Sequence, residues 1–130
     1  VVRGHGRLIV DASALIAVLF REPGWEKVHV ALDGPGPLLL SAVTYAETLM
    51  VVERSGRSDR TKVAALLRTV NIAVREVDGE QAEIAAGARG RYPLRFGDCF
   101  CYALAKRTGE PILTLDAEFG KTDARLVALG

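Results

Sequence analysis

The chain has 130 residues, 49% of them apolar and 25% charged, with a net charge of +1. That length suits one ordinary domain, residues 1–130, able to bury a core without staples. The near-neutral charge supplies no global field of the kind that marks a nucleic-acid coat, and no run approaches the ~18 apolar residues of a membrane span. The start, with Arg3 and His5 and no long apolar stretch, does not read as a signal peptide. Residues 1–6 are expected to form a short tail.

The chain opens on Leu8-Ile9-Val10, a short apolar run that reads as a buried strand. Ala12 to Arg21 follows as a helix without a break. Gly24 to Leu32 is a second helix, with Pro23 near its start and Gly34-Pro35-Gly36-Pro37 ending it. Leu38-Leu39-Leu40 is the next strand. Ser41 can cap a helix running to about Ser55, where Gly56 stops it. Ser58 is expected to cap another, to about Val70. Ile72 to Val77 is a strand interrupted by Arg75 and Glu76. Asp78 precedes a helix from Gly79 to about Arg89, and Asp98 opens one ending at Gly109, with Pro111 preventing its continuation. Ile112 to Leu115 is a strand, and Leu126 to Leu129 is a last strand or a helical end.

Most of these strands are apolar on both faces, as in a parallel sheet covered on both sides. Strand–helix alternation through one chain implies an α/β sandwich with right-handed crossovers. The two cysteines, Cys99 and Cys101, are separated by one residue. That spacing suits neither a zinc pair nor a comfortable disulfide, so both are expected to be reduced, buried in a helix, and in a cytoplasmic protein.

Ligand sites in open α/β sheets lie outside the carboxyl ends of the strands. The topology sends four acids there. Asp11 follows the first strand, and Glu47 lies in the second turn of the helix that starts where Leu38-Leu39-Leu40 ends. Asp98 begins a helix whose far end feeds the next strand, and Asp116 closes that strand. Asp11, Asp98 and Asp116 each have a plainer reading as a helix cap or a turn residue. Glu47 is harder to explain that way, because its helical neighbours Val43, Thr44, Met50 and Val51 form a largely apolar stripe. An unpaired glutamate there is costly or stays protonated. No basic residue lies three or four positions away, so its partner must be tertiary. Glu53, with Arg57 four residues on, reads as an ordinary solvated pair.

A cation shared by Asp11, Glu47, Asp98 and Asp116 would satisfy all four. Such carboxylates repel one another, and a hard divalent ion cancels the charge; all-oxygen ligands select Mg²⁺ or Mn²⁺ over zinc. Such an ion polarises a phosphoryl oxygen and acidifies a bound water, which points to metal-assisted phosphodiester hydrolysis. Ser13, two residues past Asp11, can orient water or a phosphate, or simply make a local bond at the helix start.

These residues resemble the motifs of PIN domains. Leu8-Ile9-Val10-Asp11-Ala12-Ser13-Ala14-Leu15 is similar to their opening strand and D-x-S-x-L motif, with Ala12 where many relatives carry threonine. Ser41 to Glu47 resembles the second motif, Phe96 to Ala105 the third and Leu113 to Phe119 the fourth. The order, the spacing and the length match the VapC-type toxins of toxin–antitoxin pairs. The resemblance implies a PIN-like three-layer sandwich with a central parallel sheet of four to five strands, and Mg²⁺-dependent cleavage of RNA. It implies Asp11, Glu47, Asp98 and Asp116 as the metal-holding quartet, with Glu118 and Asp123 as second choices for the last place. A homodimer, and a small antitoxin that covers the site and through which operator DNA is bound, are implied as well.

Arg89, Arg91 and Arg95 before Asp98, and Lys121 after Asp116, would give a positive rim around a negative centre, with Tyr92 and Phe96 available to stack bases. The alternative is a solvated loop with core aromatics. The segment Leu15 to Leu32, with Phe20 and Trp25, can offer a groove for an antitoxin helix, or Trp25 is core. Among rivals, a haloacid-dehalogenase-type phosphatase would need a second acid where Ser13 stands. A nucleotide-binding domain would need a glycine-rich first turn. A PIN-fold module without catalysis, serving in regulation or assembly, is the rival from another class.

Overall fold

In the computed structural model, residues 7–130 are described; the expected tail of residues 1–6 lies outside them. Four strands form one parallel sheet: β1 (Leu8–Val10), β2 (Leu38–Ser41), β3 (Ile72–Arg75) and β4 (Ile112–Leu113), in the order β3-β2-β1-β4. Six α-helices connect them: α1 (Ala12–Phe20), α2 (Trp25–Leu32), α3 (Ala42–Ser55), α4 (Arg60–Thr69), α5 (Gly79–Arg91) and α6 (Phe96–Thr108).

Alternation along the strands divides the core in two. Leu8, Val10, Leu38, Leu40 and Leu113 pack with Ala14, Leu15, Val28, Leu32 and Leu67 of α1, α2 and α4. Ile9, Leu39 and Ile112 face the other way, onto Ala85, Ala88 and the buried length of α6. A strand buried on both faces has no polar side to show, which is why β1 and β2 are continuous apolar runs. The result is a three-layer α/β/α sandwich. Cys99 and Cys101 are free and buried within α6, and no helix among the described residues is long and apolar enough to cross a membrane.

Sheet order decides where the site falls. The chain leaves β1 towards β2 and β3, then returns through α5 and α6 to place β4 on the other side of β1. In open α/β sheets, ligand sites lie at such a reversal, outside the carboxyl ends of the strands, here β1 and β4. The two strands stay joined there, the Asp11 amide donating to the Leu113 carbonyl at 3.0 Å.

Several boundaries differ from the sequence reading. Asp59, not Ser58, caps α4, its carboxylate accepting from the Lys62 amide at 3.1 Å. An aspartate placed at the N-cap satisfies an otherwise orphan donor. Helix α5 runs on to Arg91, and α6 starts at Phe96, so Asp98 sits inside its first turn instead of opening it. Strand β4 stops at Leu113; Asp116 lies three residues beyond and caps a short 3-10 helix, Ala117–Lys121. Strand β3 is the exposed edge of the sheet, not covered on both faces. The final apolar run forms neither strand nor helix: Leu126 makes a single bridge to Ile112, and Val127 and Leu129 pack against the core. Gly56 does end α3, at φ 67. Glu53 pairs with Arg60 and not with Arg57, whose guanidinium lies 4.3 Å from the centre of the Phe20 ring.

Candidate active site

Asp11 is the best-held of the four acids. It caps α1 and is 1% exposed. Its Oδ2 accepts from the Ser13 hydroxyl at 2.7 Å and from the Thr114 hydroxyl at 2.8 Å. The Leu115 amide donates to Ser13 Oγ at 3.0 Å, and the Asp116 amide to Thr114 Oγ1 at 2.9 Å. The residues after β4 are thereby tied to the start of α1, and the Ser13 hydroxyl proton is committed to Asp11. All of this anchors one oxygen. The other, Asp11 Oδ1, is buried with no hydrogen-bond partner.

Glu47 reaches the same edge from α3. Its Oε1 is likewise buried without a partner. The stripe around it is less buried than its composition suggests: Thr44 is 1% exposed, but Met50 is 63% exposed. The carboxylate lies against the first turn of α6, over Gly97. Asp98, the next residue, is buried.

The acids sense one another. Burial pushes the Asp11 carboxyl above its ordinary range, against the pull of the Ser13 and Thr114 hydroxyls. Glu47 is raised by burial and by the charges of Asp11 and Asp116, with Arg95 opposing. Asp98 is pushed up to about 7, by burial first and then by Asp11, Glu47 and Asp116. Like charges brought together out of water hold on to protons in this way. Among the described residues, no three acid, histidine or cysteine side chains are gathered tightly enough to hold an ion as they stand. The four acids share one field without forming a closed ligand shell.

Neither second choice joins that field. Asp123 accepts from the Tyr102 hydroxyl at 2.6 Å and from Lys106 at 3.1 Å, and these donors hold its carboxyl below the usual range. Glu118 is 3.3 Å from Lys121. On the proposed basic rim, Lys121 is therefore paired with Glu118, and the Arg91 guanidinium engages Tyr92 and Tyr102. Arg95, at the N-terminus of α6, is the cation whose charge reaches Glu47. Tyr92 is half-buried against the Tyr102 ring, 5.6 Å away. Phe96 is 71% exposed, its ring 5.0 Å from that of Phe100. Trp25 is half-buried, with the Arg21 guanidinium 5.2 Å from its ring centre.

Residues 8–125 match the PIN domain family. This chain is a PIN domain. Within the family it is 35% identical over 130 aligned positions to Ribonuclease VapC30 of Mycobacterium tuberculosis, covering 94% of this chain and 99% of that one. It therefore belongs with the VapC ribonucleases. The fold is shared with VapC20 of Mycobacterium tuberculosis, described as a sarcin-ricin loop cleaving toxin (TM-score 0.76, 21% identity, 92% of this chain and 98% of that one). It is also shared with a toxin-antitoxin complex from Klebsiella pneumoniae (TM-score 0.70, 18% identity, 92% and 96% covered).

Sequence reasoning missed two members of this PIN site. Thr114 was absorbed into an apolar run read as strand, although a lone hydroxyl two residues before Asp116 was a signal. Gly97 stands beside Asp98 in the sequence, but its closeness to the Glu47 carboxylate is visible only when that residue is brought across from another helix.

Proposed function

We propose that this PIN domain hydrolyses RNA phosphodiester bonds with Mg²⁺, or Mn²⁺ in its place, held by Asp11, Glu47 and Asp98 with Asp116 completing the set. The observation that carries the reading is the pair of buried carboxylate oxygens, Asp11 Oδ1 and Glu47 Oε1, that have no hydrogen-bond partner beside a third acid that protonates near neutral pH. Buried polar atoms are ordinarily satisfied, and a carboxylate left bare among like charges calls for a cation. The donors are all oxygen, which suits a hard divalent ion. When bound, such an ion polarises a phosphoryl oxygen and lowers the pKa of a coordinated water.

The protein's own residues prepare that chemistry. Ser13 and Thr114 fix Asp11 Oδ2, so that Oδ1 keeps one orientation. Burial and the neighbouring carboxylates hold the Asp98 pKa at about 7, and a bound cation would favour its charged form. Arg95 stands beside the acids with a charge for the RNA backbone, and the exposed Phe96 ring next to it offers a face to a base. Family membership supports a toxin acting in the cytoplasm as a homodimer. An antitoxin seated along α1 and α2, where Phe20 and Trp25 remain half-buried, would also carry the contact to operator DNA.

The test is cleavage of a pool of cellular RNAs by the free protein with Mg²⁺ or Mn²⁺, beside EDTA and an Asp98→Asn variant. Metal-dependent cuts that vanish in the variant are expected. Equal cutting in EDTA would refute the metal, and no cutting by the folded protein would favour a scaffold without catalysis.

A further inference from the structure

A side chain on Gly97 would have nowhere to go but into Glu47. A Cβ built there would lie 2.6 Å from Glu47 Oε2 and 2.7 Å from both Oε1 and Cδ. Real Cβ atoms do not make such contacts. No positive φ demands a glycine at this position, the second residue of α6. Gly97 lies against the Glu47 carboxylate and next to Asp98 in the first turn of α6.

We propose that Gly97 is a positioning residue: its missing side chain is the seat of the Glu47 carboxylate, and it sets how close α3 can bring that carboxylate to Asp98 and Asp11. The atoms that would be struck are the free end of a flexible side chain, not backbone. A methyl group at position 97 therefore displaces Glu47 without breaking α6 or the core. The helix itself accepts alanine, so the effect falls on the site and not on the fold.

The proposal rests on the metal reading above, and Mn²⁺ affinity measured by titration calorimetry on the folded protein separates the two. Gly97→Ala is expected to keep its melting temperature and to bind Mn²⁺ about tenfold more weakly or worse, the range seen when a ligand's support is disturbed. Shortening the displaced chain relieves the clash. Glu47→Asp should thus weaken binding in the wild-type background, yet cost nothing further, or restore binding, in the Gly97→Ala background. Wild-type Mn²⁺ affinity in Gly97→Ala, or full additivity of the two changes, would overturn the proposal. A Glu47→Gln variant that binds Mn²⁺ as well as wild type would instead overturn Glu47 as a ligand. In that event the seat is tested without metal: a crystal structure of Gly97→Ala with the Glu47 carboxylate unmoved refutes it, and a displaced carboxylate supports it.

Discussion

Replacing Asp98 by asparagine should stabilise the metal-free protein, and do so more as pH rises. Asp98 has its pKa pushed up from 3.8 to about 7 by burial and by Asp11, Glu47 and Asp116. Between those values the folded protein holds a proton that the unfolded chain has released. Folding stability therefore falls as pH rises through that window, by about 1.4 kcal/mol per pH unit for one proton. Across the whole window the loss approaches roughly 4 kcal/mol, and sharing of the repulsion with Asp11 and Glu47 brings the expected figure to about 2–4 kcal/mol. Asparagine carries no charge at any pH and removes one source of repulsion from its neighbours. The assay is urea unfolding of both proteins in EDTA at pH 4 and pH 7.5. Taking the difference between the proteins cancels the oppositely signed contribution of carboxylates such as Asp123, whose pKa is lowered. The advantage of Asp98→Asn should grow by about 2–4 kcal/mol from the lower pH to the higher. Saturating Mn²⁺ should reverse the order at pH 7.5, because binding stabilises the protein that binds. A difference that does not change with pH would refute the picture of a mutually repelling buried cluster.

Three further outcomes follow from individual contacts. Thr114→Val removes one of two hydroxyl donors to Asp11 Oδ2; it should cost about 1–3 kcal/mol in urea unfolding and weaken Mn²⁺ binding, and unchanged affinity would deny Thr114 its anchoring role. Arg95→Ala should weaken RNA binding and reduce the salt slope by about one, whereas Lys121→Ala, already paired with Glu118, should change the slope much less. Equal slopes for the two variants, measured by fluorescence anisotropy across a salt series, would count against that distinction. Asp123→Asn, which disturbs the acceptor of the Tyr102 hydroxyl, should lower the melting temperature while leaving Mn²⁺ affinity intact; a loss of affinity would return Asp123 to the ligand set.

The parallel sheet was legible because β1 and β2 are buried on both faces and so appear as continuous apolar runs. Placement of Asp11 and Glu47 followed from topology alone, since each lies a fixed distance after a strand. What sequence could not show was contact across elements. Ser13 reads from sequence either as a substrate contact or as a local bond at the helix start, and its hydroxyl makes the local bond, to Asp11. Lys121 and Arg91 each engage a residue on a neighbouring turn or helix, a pairing that spacing alone does not show. Helix starts slipped by a residue or two where several capping residues compete, as Ser58 and Asp59 do before α4. Strand β4 is only two residues long, and a run that short carries no period from which its end can be read.

The proposed role of the acidic edge between β1 and β4 is to hold a divalent cation. Its most direct test is anomalous diffraction from a crystal of the wild-type protein soaked in Mn²⁺. A peak within ligand distance of Asp11 Oδ1 and the Glu47 and Asp98 carboxylates is expected, with Asp116 nearby. Full occupancy elsewhere on the molecule, with the edge left bare at saturating Mn²⁺, would contradict it.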